Sequence, residues 1–310
     1  MATAVAAAGR ATRRSESGVT ASRRRQAVSF ALFLFAILVL WEGVKFLGGT
    51  PWRAPGAQVG SPILWNPPFR WPFANDLTLP HIWNILLAYT QPWQPGANAQ
   101  TLAQKLAEAA VYTWRSAAIG FVFGAVLGLI LATIFVHSRL LERALVPYVI
   151  ASQTVPIVAL APMIVFAFGA NVVSVVIIAT YLTFFPVTIA MIRGLRSFDP
   201  RAMELMRSYA APRSQIYWKL RFPASLPYLF TALKISATAG IVGAIIGEGP
   251  GGISEGLGRL IITFNQYYIT GPEKLWAAIG GTALLGILFF LLIVLVEWLV
   301  LRNRRPALAA

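Results

Sequence analysis

The stretch SFDPRAMELMRSYAAPRSQIYWKLRFPASLP, from Ser197 to Pro227, lies between two long apolar segments of the chain. Together with the preceding Arg193 and Arg196, it carries seven arginine and lysine residues. The apolar segments have the length of membrane spans, so the stretch is a loop outside the membrane. Loops on the cytoplasmic side carry an excess of lysine and arginine, and the sequence therefore predicts that this loop is cytoplasmic.

The same stretch has the pattern of two short helices. Asp199 is a good N-cap residue and Pro200 suits the first position of a helix, so we expect the first helix to begin there. Pro212 begins the second helix, which is expected to end at the Arg-Phe-Pro sequence of residues 221–223. An apolar face beside charged residues favours docking on a cytoplasmic partner, and the alternative is a basic loop that only fixes topology. The residues expected to share the apolar face of the first helix are Met203, Met206 and Ala210.

Composition indicates a membrane protein. Of the 310 residues 57% are hydrophobic and 12% are charged, whereas soluble domains average about 25% charged residues. The net charge of +15 is distributed over short loops and tails, which argues against a nucleic-acid partner. The absence of cysteine excludes disulfides and thiolate metal sites. His81 and His137 lie far apart in the chain, so no metal site is predicted.

Six apolar segments predict an all-α integral membrane protein with six transmembrane helices. The segments between them that fall on one side are basic, as are both tails, so both termini are expected in the cytoplasm. Gly120, Gly124 and Gly128 in the second span permit close approach of another helix. The predicted spans cover about 27–48, 115–136, 145–168, 172–192, 224–247 and 275–301.

The chain divides into five parts by composition. Residues 1–26 are a basic, disordered cytoplasmic tail, 27–48 the first span, and 302–310 a second cytoplasmic tail. Residues 49–98 hold nine of the twenty prolines and five of the ten tryptophans, which favours an external loop close to the membrane, with a short helix within 79–89. Residues 99–301 form the core, with five spans and the cytoplasmic loop at 193–223.

Few ionisable residues fall inside the predicted spans, and Lys234 alone lies well within one. Lys234 either faces a path for a polar substrate, or snorkels or pairs for structural reasons. A transporter driven by protons or sodium usually carries acidic residues or histidine near the membrane midplane, which this sequence lacks. It also lacks the G-x-x-x-x-G-K-[ST] phosphate loop, and no catalytic constellation is found. Energy for uphill transport would therefore come from another subunit.

The cytoplasmic loop resembles the signature loop of binding-protein-dependent ABC importer permeases, which has the spacing E-A-A-x3-G-x9-I-x-L-P. Glu204, Ala210, Leu220, Phe222 and Pro223 stand at the five spaced positions. The sequence departs from the pattern at both alanines and at the glycine, which Ala210 replaces, and Leu220 and Phe222 replace the two aliphatic residues. The missing glycine bears directly on the turn between the two short helices.

The resemblance extends through nearly all of residues 100–301. The segments at 120–128, 152–169 and 255–261 are similar to the nitrate/sulfonate/taurine group of permeases, which also includes permeases for pyrimidine vitamin precursors and riboflavin. The string SQTVPIVALAP, which begins at Ser152, resembles the vitamin branch most. A vitamin-type heterocycle is therefore the favoured cargo, with sulfonate, taurine and nitrate as the alternatives.

The resemblance implies a transporter subunit that works with partners. It implies a homodimer, a cytoplasmic ATPase dimer that binds the ATP, and an extracytoplasmic substrate-binding protein. This chain itself would hold no cofactor. Pro156 and Pro162 would kink the third span and leave carbonyl groups facing the translocation path, where Lys234 is a further candidate. The residues implied in coupling to the ATPase are Glu204, Ala210, Pro212, Leu220 and Pro223.

Two other classes of function remain as alternatives. A self-sufficient secondary transporter is disfavoured by the missing midplane acids. A membrane enzyme is disfavoured by the missing catalytic constellation, whereas an assembly scaffold is compatible with the small-residue helix faces.

Overall fold

The computed structural model describes Arg25 and residues 28–54, 61–94, 100–249 and 253–302. The predicted tails, 1–26 and 302–310, lie outside this part of the chain except for Arg25 and Arg302. The chain forms two compact units, Met1–Leu87 and Ala88–Ala310, which are considered separately. Regular structure in the described residues is helical apart from isolated β-bridges, so the predicted all-α fold is confirmed.

The helices follow one another with short connections. A π-helical segment, Tyr217–Arg221, joins α8 to α9, and the 3₁₀ turns are Pro72–Ala74 and Tyr268–Thr270. The helices are α1 (Val28–Leu47), α2 (Ile82–Ala88), α3 (Leu102–His137), α4 (Arg139–Ser152), α5 (Ile157–Phe168), α6 (Val172–Gly194), α7 (Pro200–Ser208), α8 (Arg213–Ile216), α9 (Phe222–Glu248), α10 (Leu257–Gln266) and α11 (Pro272–Leu301).

Five described stretches of helix are long and apolar enough to cross a membrane, and the bent pair α4 and α5 makes a sixth if it counts as one span. The six predicted spans are thus represented, and the third is bent at Pro156, one of the two prolines expected to kink it, whereas Pro162 lies inside α5. α4 and α5 meet at an angle of 95°. Pro156 is the N-cap residue of α5 and disfavours helical geometry at the preceding Val155, which explains the position of the break. The hydroxyl of Tyr181 donates to the carbonyl of Ser152 and holds α6 against the end of α4.

In the first unit, the chain after α1 folds back onto the end of that helix. Gly48 pairs with Phe69 and Trp52 with Trp65 through isolated bridges. The Trp65 ring stacks on Phe46 with centroids 4.6 Å apart. The short helix predicted within 79–89 is present as α2. The part of the Pro/Trp-rich segment that belongs to this unit is therefore ordered by aromatic contacts.

A polar cluster fastens the end of α1 to the residues before α2. The Lys45 side chain is 1% exposed, and its Nζ lies 2.5 Å from Oδ1 of Asp76. Glu42 accepts the backbone N–H of Ile82 at 2.8 Å and contacts Nδ1 of His81 at 2.9 Å. Burial disfavours the charged imidazolium and lowers the pKa of His81. The neutral imidazole therefore donates from Nδ1 to the Glu42 carboxylate.

In the second unit, α6 packs against both α3 and α9. A Cβ atom on Gly124 of α3 would lie 2.6 Å from Cβ of Thr183, and one on Gly243 of α9 would lie 2.9 Å from Cα of Ala179. These separations are too short for carbon atoms, so glycine is required for the observed approach, as the small-residue stripe predicted. Two buried clusters fill the contacts between the helices. Their central residues are Ala117, Phe121, Val175, Ala237, Ile241 and Ala244 in one, and Ala132, Phe135, Val187, Met191, Leu195 and Ala232 in the other.

Candidate functional site

The loop between the fourth and fifth predicted spans is built around α7. Oδ1 of Asp199 accepts the backbone N–H of Arg201 at 2.9 Å, so the predicted helix start at Pro200 is confirmed. Met203 is 7% exposed, and it therefore anchors α7 to the protein instead of offering an apolar surface to a partner. The opposite face of α7 is exposed along the i, i+3, i+4, i+7 positions, namely Arg201, Glu204, Leu205 and Ser208.

The turn after α7 has the geometry of a Schellman motif. The backbone N–H of Ala211 donates to the carbonyl of Met206 at 3.0 Å, and that of Ala210 donates to the carbonyl of Arg207 at 2.9 Å. This pair of hydrogen bonds requires a left-handed residue just beyond the helix end. That residue is Ala210, with φ of 50°, at the position where the signature carries glycine. Alanine thus adopts the left-handed conformation at the position of the signature glycine, at an energetic cost that glycine would not incur.

Pro212, Leu220 and Pro223 belong to the segment that returns the chain to the fifth span. Pro212 caps α8 as predicted. We expected the second loop helix to end at residues 221–223. Instead, it continues through the π-helical segment into α9. Proline has no N–H and its ring clashes with the carbonyl four residues earlier. The wider π turn accommodates it, with the Phe222 N–H bonded to the carbonyl of Tyr217.

Side-chain contacts near both ends of this loop join it to the rest of the second unit. The guanidinium of Arg196 donates to both carboxylate oxygens of Glu142 on α4, at 2.8 and 2.6 Å. The hydroxyl groups of Tyr217 and Thr133 of α3 lie 2.9 Å apart and share a hydrogen bond. The loop is therefore fixed at both ends while the outer face of α7 remains exposed.

The three residues suggested for a translocation path lie in different surroundings. Pro156 is at the break between α4 and α5, and Pro162 lies inside α5. Nζ of Lys234 lies 2.9 Å from Oε2 of Glu297 on α11, which provides the structural partner that the sequence left open. These positions do not test whether any of the three contacts a transported solute, and their role stays a prediction.

Sequence reasoning did not single out Glu248, which is fully buried at the end of α9. One of its oxygens, Oε2, accepts hydrogen bonds from the hydroxyl of Thr113 and the N–H of Gly258, both at 2.9 Å. The Thr113 hydroxyl in turn accepts the Leu257 N–H. Gly256 has φ of 95°, and a Cβ there would lie 2.3 Å from the Glu248 carboxyl carbon. The sequence feature that could have identified Glu248 is its position next to several closely spaced glycines.

The described residues contain no group of three or more histidine, cysteine, aspartate or glutamate side chains placed to hold a metal ion. The Glu142–Arg196 contact was also not foreseen, because its partners are 54 residues apart in the chain and no local spacing relates them.

Comparison with known proteins gives several relatives that are named as transport permeases. The formylaminopyrimidine transport permease protein ThiX of Halalkalibacterium halodurans is 36% identical over 191 residues, covering 60% of this chain and 74% of that protein. The riboflavin transport system permease protein RibX of Chloroflexus aurantiacus is 34% identical over 166 residues, covering 54% of this chain and 61% of that protein. The match to RibX thus spans less than two thirds of its length. Permeases named for aliphatic sulfonates, taurine and nitrate match at 24–31% identity.

A solved structure shares the fold. The crystal structure of an amino acid ABC transporter with histidines superposes with a TM-score of 0.50 at 16% identity, covering 63% of this chain and 94% of that one. The model of the family described as binding-protein-dependent transport system inner membrane component matches residues 124–305, more than half of the chain. The predicted resemblance to these permeases, including the vitamin branch, is confirmed. The chain therefore belongs to the binding-protein-dependent transport system inner membrane component family.

Proposed function

We propose that this chain works as a homodimer, with both termini in the cytoplasm, an ATPase dimer docked at α7 and an extracytoplasmic binding protein that delivers the solute. As a member of its family, the chain is a multi-pass membrane permease of an ABC importer for small solutes, a transporter subunit and not an enzyme. ATP would be bound by the partner, since this sequence has no phosphate loop.

The exposed face of α7 is the observation that carries the docking role. Glu204 and Leu205 point away from the protein, and Leu205 is 58% exposed. Tyr209, directly after α7, is 78% exposed. Apolar and aromatic groups beside charges on a loop outside the membrane fit a protein partner, because such groups form the centre of interfaces. Ala210 and Pro212 set the angle between α7 and α8, and Leu220 and Pro223 join that unit to α9.

The break between α4 and α5 supports a role in the path. Backbone carbonyls freed from helical hydrogen bonds are tolerated at membrane depth where they line a cavity or are buried in protein. Pro156 at the break and Pro162 inside α5 interrupt the regular helical hydrogen bonds of a segment with few charges. Lys234, paired with Glu297, would contribute to the path only if the ion pair opens.

A vitamin-type heterocycle is the cargo we favour, namely riboflavin or a pyrimidine precursor. The support is that relatives named for formylaminopyrimidine and riboflavin match at 36% and 34% identity. Sulfonate, taurine and nitrate remain the alternatives. Substrate choice in such a system would rest largely with the binding protein, and the screen is therefore best made on that partner, against riboflavin, formylaminopyrimidine, taurine and nitrate by calorimetry.

Charge reversal on α7 tests the docking role. Glu204→Lys places a third basic side chain on α7, beside Arg201 and Arg207. We expect it to lower ATP-dependent uptake by roughly tenfold or more, since like charges at an interface are unfavourable and complementary charges promote association. The control is Glu255→Lys, at an exposed position of the second unit outside the loop. Both variants are compared by the amount of ATPase that co-purifies, which the control should leave unchanged. Normal membrane insertion with normal ATPase capture and uptake in Glu204→Lys would rule the docking role out.

A further inference from the structure

A basic cleft lies where α3 ends, α4 begins and the loop joins α9. Its volume is about 800 Å³, within the range of roughly 300–1,000 Å³ typical of small-ligand sites. Its lining contains none of the exposed residues of α7 that the docking role uses. Its basic lining consists of Arg139, Arg143, Arg196 and Arg221.

The positive charge of this cleft is only partly compensated. Glu142 is the acidic residue of the lining, and both of its oxygens are engaged by Arg196. Within the described ranges, no ion pair involves Arg139, Arg143 or Arg221. Arg196 lies close enough to Arg221 for their charges to repel one another. An anion in the cleft would relieve this repulsion and accept paired hydrogen bonds from the guanidinium groups.

The rest of the lining is apolar, with Val136, Val146 and Pro147 facing the cleft. α4 itself has no buried residue, and two of its large side chains, Leu140 and Tyr148, are 78% and 74% exposed. A helix with basic residues and a bare apolar surface is typical of one that lies in the membrane–water interface. The cleft therefore combines a charged wall and an apolar wall, and the proposed orientation, on which this inference rests, places it at the cytoplasmic end of the spans.

We propose that this cleft binds the headgroup phosphate of an anionic phospholipid, with the start of its acyl chains along the apolar wall. Basic pockets between membrane helices on the cytoplasmic side are suited to such headgroups. A free phosphate ion would satisfy the arginines but leave Val136, Val146 and Pro147 without a ligand. A lipid would bind the arginines through its phosphate and contact the apolar residues through its acyl chains, which is why we favour it over a soluble anion.

Native mass spectrometry of the purified full-length protein tests this inference. The protein in detergent is titrated with phosphatidylglycerol or, separately, with phosphatidylcholine, and bound lipid is counted. We expect preferential retention of phosphatidylglycerol. The double variant Arg139→Gln/Arg143→Gln should lose roughly thirtyfold in affinity, since each basic residue near an anionic surface contributes about a factor of five.

Matched variants guard against effects of folding and of overall charge. Arg70→Gln/Arg115→Gln removes the same charge from exposed positions outside the cleft and should bind phosphatidylglycerol like the wild type. Arg139→Lys/Arg143→Lys keeps the charge and should retain most of the preference. Equal binding of both lipids, or unchanged binding in the Gln double variant, would overturn the proposal. So would displacement of the lipid by millimolar inorganic phosphate, which assigns the cleft to a soluble anion, or by the ATPase, which assigns it to the protein interface.

Discussion

Ala210 replaces the glycine of the signature and lies in the left-handed region of the backbone. It is the one described non-glycine residue with positive φ. We expect Ala210→Gly to raise the free energy of unfolding by about 0.5–1 kcal/mol, because glycine adopts this region without steric cost. Ala210→Val should lower it by about 1–3 kcal/mol, since a β-branched side chain is strained there. Thermal unfolding of the two purified variants checks the prediction.

The order of the unfolding temperatures of these two variants decides whether the turn is assigned correctly. If Ala210→Val unfolds at the same temperature as Ala210→Gly, the turn does not hold Ala210 in the left-handed conformation, and the assigned Schellman motif is wrong. Capture of the ATPase should follow the same order, because the turn sets the angle at which α7 is presented.

His81 gives a prediction on pH. Its pKa is lowered by burial, so below about pH 6.5 the unfolded chain binds more protons than the folded one. The contribution of His81 to stability is therefore present above that pH and lost as the pH falls. His81→Asn should reduce the loss of thermal stability between pH 7.5 and 5.5, measured by tryptophan fluorescence. His137→Asn, at an exposed histidine, is the control and should lose stability like the wild type.

At the scale of elements, the packing of α3 on α6 depends on the absence of side chains. Gly124→Ala would bring Cβ to 2.6 Å from Thr183 Cβ, and we expect it to cost about 1–3 kcal/mol of stability through overpacking. Gly286→Ala on α11 is the matched control, because a Cβ there meets nothing within 4 Å. Alanine should be neutral or stabilising at that position. Equal melting temperatures for the two variants would contradict the close helix contact.

Glu248 fixes the start of α10 through its contacts with Thr113 and Gly258. We expect Glu248→Ala to speed amide hydrogen exchange at residues 257–260 by tenfold or more, since a lost buried hydrogen-bond partner costs about 1–3 kcal/mol. Glu248→Gln keeps a carbonyl oxygen to accept these bonds and should exchange like the wild type. Similar exchange in the Ala variant would show that other contacts hold α10.

The elements differ in how well the sequence predicts them, for a physical reason. The start of α7 follows from Asp199 and Pro200, since a cap is a local interaction. The sequence predicted kinks at both Pro156 and Pro162, but the break lies at Pro156 alone, and its size of 95° depends on packing that includes the contact from Tyr181. The sequence did not predict the π-helical segment. A proline such as Pro223 either ends a helix or is accommodated by a wider π turn, and the tertiary contacts around it decide which. Here, the bond between Tyr217 and Thr133 holds the turn.

At the scale of the whole molecule, hydrophobicity and charge were sufficient for the fold class and the number of spans. The hydrophobicity of a span and the charge of a loop are both sums over many residues, so a wrong interpretation of one residue does not change them much. The candidate site was predicted as a segment, from a signature with fixed spacing, but not as a set of contacts. Glu142 and Arg196 are joined only in three dimensions, and the sequence gives no spacing that relates them. In the proposed function, the contacts of Arg196 and Tyr217 connect the exposed loop to the spans, and a partner ATPase supplies the energy for transport.

Affinity purification of the tagged protein in mild detergent, with mass spectrometry of what accompanies it, tests this central claim most directly. The account predicts an ATPase with a phosphate loop in stoichiometric amount, and uptake into proteoliposomes that requires both ATP and a binding protein. A protein that purifies alone and takes up solute into liposomes from an ion gradient would contradict it.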